Sequence, residues 1–434
     1  MEHSGKLPCI MRCCEPKSAC HPKISASLVA LLRGQALRIS SYASVSAEVR
    51  RNEGTMRAAN LRWTAEEGWT TSGEILGPIG FVLFFGERKI LESGDRFNDL
   101  KSKFPGAIVA GCSSGGQIMG DDVSDDSVVA VAMAFERTSV RLAVTHAGDN
   151  ESFSHGRQLG AHLLDPALRH VFLIANGTHT NGSALVRGLV SAIGDGPTIS
   201  GGLAGDGARF EKTLVCADAA PSEACIAAIG FYGDALVIGN GSFGGWDEFG
   251  PNRKVTRSIG NVVYELDGEP VLDLYKRYLG QEAEGLPGSG LLYPLSIVDP
   301  ASPTHRVVRT ILGINEIDKS MTFAGDVPTG FTAQLMQGRF DRLADAAGAA
   351  SRRAFSQHVD RHGDIAAVYV SCVGRRILMG QNIIDETIAA QSAALPDSKS
   401  IGFYSYGEIC PDNETGTCEL HNQTMAVTTF SERA

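Results

Sequence analysis

The sequence predicts a mixed α/β protein (α+β) with two mixed-sheet domains, in which one strand-helix-strand unit occurs three times. Three observations lead to this prediction. Apolar runs alternate with helical segments, a proline follows each helix, and a second apolar run then ends in a loop of small residues. Continuous apolar runs of this kind are typical of strands covered on both faces. A chain of 434 residues also has the length for two or three domains.

Each unit begins with an apolar strand and continues through a helix to a second strand. The first strands are Ile79–Phe85, His170–Ala175 and Ile365–Cys372. The helices are Arg96–Lys103, Ser183–Ile193 and Glu386–Ala394. The second strands are Ala107–Ala110, Thr198–Ser200 and Ile401–Phe403. The loops that follow them span 111–116, 201–207 and 404–408.

Shifts in composition along the chain predict the domain limits. Residues 1–55 carry eight basic and four acidic side chains, whereas the whole chain has a net charge of −10. We expect these residues to be a disordered N-terminal extension, or one foreign to the native protein, which would then begin at Met56. The first domain is predicted to span 56–268 and the second 269–434, because the amphipathic helix Glu269–Leu279 marks a junction.

The second domain shows three further features. Residues 280–290 are rich in Gly and Glu and are interpreted as a linker. An alanine-rich amphipathic helix is predicted over Arg339–His358, and a final strand over His421–Phe430.

Composition excludes several classes of protein. An acidic chain lacks the basic surface that nucleic-acid binding needs, and no apolar run reaches the roughly 20 residues that span a bilayer. Neither a phosphate-binding loop nor a zinc-protease motif occurs. The cysteines after residue 55 are scattered, which favours reduced thiols in the cytoplasm. We therefore expect a cytoplasmic protein without catalytic residues, metal ligands, nucleic-acid partners or membrane insertion.

The three small-residue loops are the best candidates for a binding site. Glycine lets the main chain approach a ligand closely, and ligands favour the carboxyl ends of strands. Asp206 and Glu408 add negative charge to the second and third loops, and Arg309 and Arg375 supply positive charge. A zwitterion such as an amino acid needs one group of each sign. The alternative, that the loops are structural turns and the charges pair with each other, stays open.

Cysteines and histidines provide weaker candidates. Cys112 and Cys372 both lie at strand ends, where each is either a reactive thiol or a buried inert one. His179 and His421 are flanked by small polar residues, so each is either a site residue, including an axial haem ligand, or a structural histidine.

Several stretches of the chain resemble the FIST sensory family, with a FIST N domain followed by a FIST C domain. The resemblance runs from about residue 60 to the end of the chain. It is carried by AIVAGCSSGGQI (107–118), ISGGLAGDGARFEKTLV (199–215), KVTRSIGNVVYELDGEPVLDLYKRYL (254–279), HRVVRTIL (305–312), AVYVSCVGRR (367–376), GFYSYGEI (402–409) and HNQTM (421–425).

The resemblance implies an intracellular sensory module in signal transduction, of a kind found in bacteria, that binds a small ligand such as an amino acid and performs no catalysis. A ligand bound between the domains or at the Gly loops of the first would shift their arrangement and signal to a separate partner, such as a kinase or a cyclic-nucleotide enzyme. A haem-binding nitric-oxide sensor of the same family is the main alternative. An enzyme of unrecognised type and an interaction scaffold also stay open.

The candidate ligand-binding residues come from the loops, strand ends and charged positions described above. They are Cys112, Ser113, Ser114, Gly115, Asn176, Gly202, Gly205, Asp206, Arg309, Cys372, Arg375, Tyr406, Glu408 and His421.

Overall fold

The computed structural model describes residues 55–75, 77–146, 151–358 and 362–433. Apart from Thr55, the expected N-terminal extension lies outside the described residues. None of the helices in these ranges combines the length and the apolar character that a membrane crossing requires.

The described residues include twenty-six strands. Up to residue 270 they are β1 (Arg57–Thr64), β2 (Gly68–Ser72), β3 (Phe81–Glu87), β4 (Ile108–Ser114), β5 (Gln117–Met119), β6 (Asp122–Ser124), β7 (Ser127–Ala134), β8 (Ser139–His146), β9 (Leu168–Ala175), β10 (Thr198–Leu203), β11 (Val215–Ala217), β12 (Cys225–Tyr232), β13 (Leu236–Phe243), β14 (Trp246–Ile259), β15 (Val262–Leu266) and β16 (Glu269–Pro270). The later ones are β17 (Leu295–Val298), β18 (Arg306–Arg309), β19 (Ile311–Asn315), β20 (Ser320–Phe323), β21 (Thr332–Gly338), β22 (His362–Cys372), β23 (Lys399–Ser405), β24 (Gly407–Pro411), β25 (Cys418–His421) and β26 (Met425–Glu432).

Eight α-helices lie between these strands in the described ranges. They are α1 (Arg88–Leu91), α2 (Asp95–Lys103), α3 (Ser152–Leu163), α4 (Gly182–Ile193), α5 (Val271–Leu279), α6 (Phe340–Phe355), α7 (Val373–Met379) and α8 (Ile383–Ser392). Short 3-10 helices occupy Gly280–Gly285, Gly288–Leu292 and Gly380–Asn382. The predicted mixed α/β class is confirmed.

The helix ends follow local chemistry. The Asn181 side chain accepts a hydrogen bond from the Ala184 N–H at 3.0 Å and so caps the start of α4. Pro270, which has no N–H, precedes α5, and Gly280 follows it with φ at +57°. The predicted linker after α5 consists largely of two 3-10 turns.

Three six-stranded sheets each contain one parallel pair of strands. Their orders are β11-β4-β3-β7-β1-β2, β25-β24-β10-β9-β12-β8 and β13-β26-β22-β23-β5-β6. The parallel pairs are β3–β4, β9–β10 and β22–β23. A helical crossover joins the two strands of each pair, as parallel pairing requires. These are the three predicted strand-helix-strand units.

The second strand of each unit is longer than predicted. β4 continues to Ser114 because it pairs with β11 as far as Cys112, which lies opposite Val215, and with β3 as far as Ser114. β10 continues to Leu203 because it pairs with β24, with Gly202 opposite Glu408. The segments predicted as small-residue loops are therefore partly strand, since antiparallel partners from distant parts of the sequence satisfy their main-chain groups.

The three sheets pack around a shared apolar core. Phe85 on the first sheet stacks on Phe403 of the third, with ring centroids 4.3 Å apart. The ring centroid of Phe231, on the second sheet, lies 5.1 Å from that of Phe430, on the third. Covering both faces explains why central strands such as β7 and β12 are buried along their whole length and mainly apolar.

An eight-stranded antiparallel sheet has the order β18-β17-β21-β14-β15-β20-β19, with β16 beside β15. Strands on both sides of residue 268 share this sheet, and the same is true of the second and third six-stranded sheets. Strands from before and after the proposed domain limit are therefore hydrogen-bonded in the same sheets. The domain limits themselves stay a prediction.

Candidate functional site

The three predicted loops meet at one point. The Gly115 N–H donates to the Tyr404 carbonyl at 2.8 Å, and the Gly205 N–H donates to the Ser113 carbonyl at 3.0 Å. The Tyr406 N–H closes the ring by donating to the Leu203 carbonyl at 3.1 Å. The carboxyl ends of the three parallel pairs thus converge, as a site at strand ends requires.

The glycines at this point allow neighbouring segments to pack closely. A Cβ added to Gly205 would lie 2.9 Å from the Tyr404 carbonyl oxygen and 3.2 Å from the Gly115 nitrogen. A Cβ on Gly202 would lie 2.7 Å from a side-chain methyl carbon of Val370. Both positions are buried, so these two glycines allow the units to pack closely.

A cavity of about 670 Å³ opens beside the meeting point of the first two loops. We call it the Gly-loop cavity. Ser114, Gly115 and Asp206 are the candidate residues that line it. The rest of the lining comes from Glu87, Lys89, Ile90, Gly116, Asp125, Asp126, Gly207, Ala208, Arg209, Val373, Arg376, Ile377 and Gly380.

Most charged groups in the Gly-loop cavity are paired within the protein. Arg376 Nη1 lies 2.7 Å from Asp125 Oδ1, and Arg209 Nη2 lies 3.0 Å from Glu87 Oε1. Lys89 and Asp126 differ from these groups. Both are exposed, and neither side chain has an ionic or hydrogen-bonding partner among the described residues.

Asp206 is fully buried and is held by its own surroundings. Its carboxylate accepts a hydrogen bond from the Tyr406 hydroxyl, and from the N–H groups of Phe210 and Lys212 at 2.9 and 3.1 Å. Arg88 Nε and Arg209 Nε each lie 3.8 Å away. Asp206 therefore has protein partners on several sides and fixes the 206–212 segment.

The pair Cys372 and Glu408 lies buried behind the cavity. Burial raises the pKa of Glu408 to about 8, and its carboxyl group lies 2.6 Å from the Ser405 hydroxyl and 3.1 Å from the Thr424 N–H. Burial also raises the pKa of the Cys372 thiol, and the nearby Glu408 raises it further. A thiol held protonated in this way is a poor nucleophile.

Two other candidates in the first loop are also buried. Burial raises the pKa of the Cys112 thiol well above its ordinary value. The Ser113 hydroxyl accepts a hydrogen bond from the Leu214 N–H at 2.9 Å. Neither residue lines the Gly-loop cavity.

Arg375 is fully buried and forms an ion pair inside the protein. Its Nε lies 2.7 Å from Glu386 Oε2, and its Nη2 donates to the Leu343 carbonyl at 2.8 Å. Its guanidinium therefore forms its hydrogen bonds with groups of the protein.

Arg309, Asn176 and His421 lie away from the Gly-loop cavity. Arg309 lines a separate cavity of about 300 Å³, which we call the Arg309 cavity. Asn176 Oδ1 accepts hydrogen bonds from the Thr178 and His179 N–H groups, both at 2.8 Å, and so fixes a turn. His421 Nε2 is 3.0 Å from the Cys410 carbonyl oxygen, and burial lowers the pKa of this histidine.

A third cavity, of about 710 Å³, bears on the haem alternative. His179 lines it, whereas His421 does not. The side chains around His179 are mainly acids, amides and hydroxyls, with Phe153 and Leu312 the only large apolar ones in the described lining. A porphyrin needs apolar walls on both faces, so these residues do not fit haem.

One cluster among the described residues has the composition of a metal site. Possible ligand atoms of His305, Asp412 and Glu419 lie within 4.8 Å of one another. However, His305 Nδ1 is 3.7 Å from Asp412, while Nε2 is 3.0 Å from Glu419. A metal takes one ring nitrogen only, so this is a histidine between two carboxylates, and we assign no metal to it.

Sequence reasoning missed Lys89, Asp126 and Arg376 as lining residues of the Gly-loop cavity. Lys89 lies two residues after β3, a strand end that could have drawn attention to it. Asp126 lies in a turn between β6 and β7, and nothing in the sequence places that turn beside the loops.

The FIST N domain model matches residues 80–269, and the FIST C domain model matches residues 272–411. The chain belongs to the FIST family, whose domains are sensory rather than catalytic and are associated with signal transduction. A crystal structure of cyanuric acid hydrolase from A. caulinodans is similar at 10% identity and a TM-score of 0.29, over 87% of this chain and 100% of that one. No activity follows from so low a score. No curated protein matches the chain.

Proposed function

We propose that the chain is a sensor that binds a small zwitterion, an amino acid, in the Gly-loop cavity. The observation that carries the proposal is the presence of two unpaired groups of opposite charge, Lys89 and Asp126, in one cavity whose other charges are mostly paired. Lys89 suits the α-carboxylate and Asp126 suits the α-ammonium. The loops converge beside the cavity, which supports a built site.

Each charge contact alone is weak. Lys89 and Asp126 are exposed, and exposed ion pairs contribute about 0–1 kcal/mol each. Affinity therefore requires both contacts together with polar groups at the cavity wall, such as the main chain of Gly207. A volume of about 670 Å³ leaves room for an amino-acid side chain and water.

The position of the cavity supports a relay. Ser114 and Asp206 belong to the FIST N match, and Val373 and Arg376 belong to the FIST C match. A ligand that contacts both would favour one arrangement of these elements and shift its population. A separate signalling protein, such as a kinase or a cyclic-nucleotide enzyme, would then read the change.

Calorimetry and thermal shift with the twenty amino acids test the proposal. At about 100 times its Kd, a ligand adds about 2.7 kcal/mol to the free energy of unfolding. We expect Lys89→Met and Asp126→Asn each to weaken binding by up to about fivefold, which corresponds to about 1 kcal/mol. Lys103→Met, an exposed change outside the cavity, is the matched control. Binding of no amino acid, or binding unchanged in both cavity variants, would contradict the proposal.

We further propose that sensing requires no haem, because the lining around His179 lacks apolar walls. Haemin titration of the purified protein is expected to give no Soret shift. A shifted Soret band that His179→Ala removes would instead favour the nitric-oxide sensor.

A further inference from the structure

Three arginines are buried in the described part of the chain, and two of them have a carboxylate partner. Arg375 pairs with Glu386 at 2.7 Å, and Arg88 pairs with Glu92 at 2.5 Å. Arg309 is only 5% exposed and has no carboxylate within ion-pair distance among the described residues. A buried guanidinium without a counter-ion is costly, so its surroundings need explanation.

The hydrogen bonds of Arg309 leave part of its guanidinium unused. Nε donates to the Asp326 carbonyl at 3.0 Å, and Nη1 donates to the Val308 and Leu420 carbonyls at 3.1 and 3.0 Å. Nη2 has no acceptor in the described part of the chain. These carbonyls accept hydrogen bonds but carry no net charge, and burial lowers the pKa of Arg309 to about 10.

The Arg309 cavity has the size of a small metabolite, about 300 Å³, and a mainly apolar wall. Val186 from α4 lines one part of it, while Ile297 and Phe331 line another. Ser183 also lines the cavity, and its buried hydroxyl has no hydrogen-bond partner. Arg187 also lines the cavity but is paired with Asp326, so the cavity offers the Arg309 guanidinium, one unused hydroxyl and an apolar surface.

The carboxylates that line the same cavity have other neighbours, although Glu419 Oε1 accepts no hydrogen bond in the described part of the chain. Asp326 Oδ2 pairs with Arg187 at 2.8 Å, and Glu419 Oε1 lies 3.0 Å from His305. Asp299 accepts the Ala301 N–H at 2.9 Å. Glu419 and Asp326 lie close enough to raise the pKa of Arg309, but neither contacts Nη2, so a direct partner for this nitrogen is left to a ligand.

We propose that the Arg309 cavity binds a small carboxylate with a branched or unbranched apolar body. The ligand carboxylate pairs with Arg309 at Nη2 and accepts a hydrogen bond from Ser183, and its hydrocarbon part packs on Val186 and Phe331. This site lies in a different cavity from the one assigned to amino acids and shares no lining residue with it. The Arg309 cavity would give the protein a second ligand-binding site, and this proposal does not depend on amino-acid binding in the Gly-loop cavity.

Isothermal titration of the full chain with 4-methylpentanoate and with 4-methylpentanamide tests this inference. The two probes have the same apolar body, and only the acid carries charge. We expect the acid to bind and the amide to bind at least tenfold more weakly. No binding of the acid, or equal binding of both probes, would overturn the inference without the need for any variant.

Variants then locate the site. Arg309→Gln removes the charge, and Val307→Phe fills the cavity from β18 without touching the guanidinium; both are checked for folding by circular dichroism. We expect each folded variant to lose at least tenfold in affinity for 4-methylpentanoate. Lys89→Met, in the Gly-loop cavity, is expected to bind this acid as the unmodified chain does. If Lys89→Met loses affinity for 4-methylpentanoate while Val307→Phe keeps it, the acid does not bind in the Arg309 cavity and the assignment is overturned. Whether the Gly-loop cavity binds an amino acid does not affect this assignment.

Discussion

Tyr406, in the loop after β23, donates its hydroxyl hydrogen to the buried carboxylate of Asp206, in the loop after β10. The two residues are 200 positions apart in the sequence. Their contact joins the second and third strand-helix-strand units beside the Gly-loop cavity. Burial and the neighbouring Asp206 both raise the pKa of Tyr406, so the hydroxyl stays protonated and remains a donor.

Tyr406→Phe should therefore destabilise the protein and loosen the 206–212 segment. Asp206 keeps its main-chain partners but loses a buried donor, which costs about 1–3 kcal/mol. Urea denaturation measures the loss, and hydrogen exchange at the Phe210 and Lys212 amides should become faster. Tyr264→Phe is the control, because the Tyr264 hydroxyl has no hydrogen-bond partner in the described ranges. Equal stability of the two variants would show that the contact contributes nothing.

Gly205→Ala tests the convergence of the loops. The new methyl group would lie 2.9 Å from the Tyr404 carbonyl oxygen, so the loops must move apart. Overpacking of this kind costs about 1–3 kcal/mol. Gly106→Ala is the matched control, because open space surrounds that position, and a change within about 0.5 kcal/mol is expected there. If both variants denature at the same urea concentration, the loops are not packed as described.

The buried Glu408 predicts a specific dependence of stability on pH. Its pKa is raised from about 4.5 to about 8 in the folded protein, so the folded state binds more protons than the unfolded state between these values. The contribution of Glu408 to stability is complete below about pH 4.5 and is lost as the pH rises toward 8. The total effect is on the order of 5 kcal/mol.

Glu408→Gln should remove this part of the pH dependence. The amide mimics the protonated carboxyl, with a donor toward Ser405 and an acceptor toward Thr424. We expect the variant to match the unmodified chain near pH 5 and to be more stable at pH 9, as measured by urea denaturation. Glu414→Gln, at an exposed position, should leave the profile unchanged. A profile that Glu408→Gln does not flatten would rule out Glu408 as its source.

The sequence predicted the three parallel units because their signal is local. Apolar runs such as His170–Ala175 and the proline after each helix need no knowledge of distant partners. The ends of the second strands were missed because they depend on pairing with other strands. β11 and β24, far along the chain, pair with β4 and β10, and β3 pairs with β4 as far as Ser114. A strand end that depends on such a partner leaves no trace in its own residues.

The candidate site was predictable only in part, for the same reason. The small-residue loops placed Ser114, Gly115 and Asp206 at the Gly-loop cavity. Charge alone did not reveal which ionisable groups find partners, so Asp206 and Arg375 were chosen although the protein satisfies both. Pairing is a property of the folded structure.

The Arg375–Glu386 ion pair gives the last prediction. Both side chains are fully buried, and removing one partner of such a pair costs about 3–5 kcal/mol because the other charge stays buried alone. Arg375→Met should show this loss in urea denaturation, and adding Glu386→Gln should recover part of it by removing the stranded charge. Arg339→Met breaks an exposed pair with Asp341 and should cost less than about 1 kcal/mol. A double variant less stable than Arg375→Met alone would mean that Glu386 is stabilised mainly by Ser371, whose hydroxyl lies 2.6 Å from it.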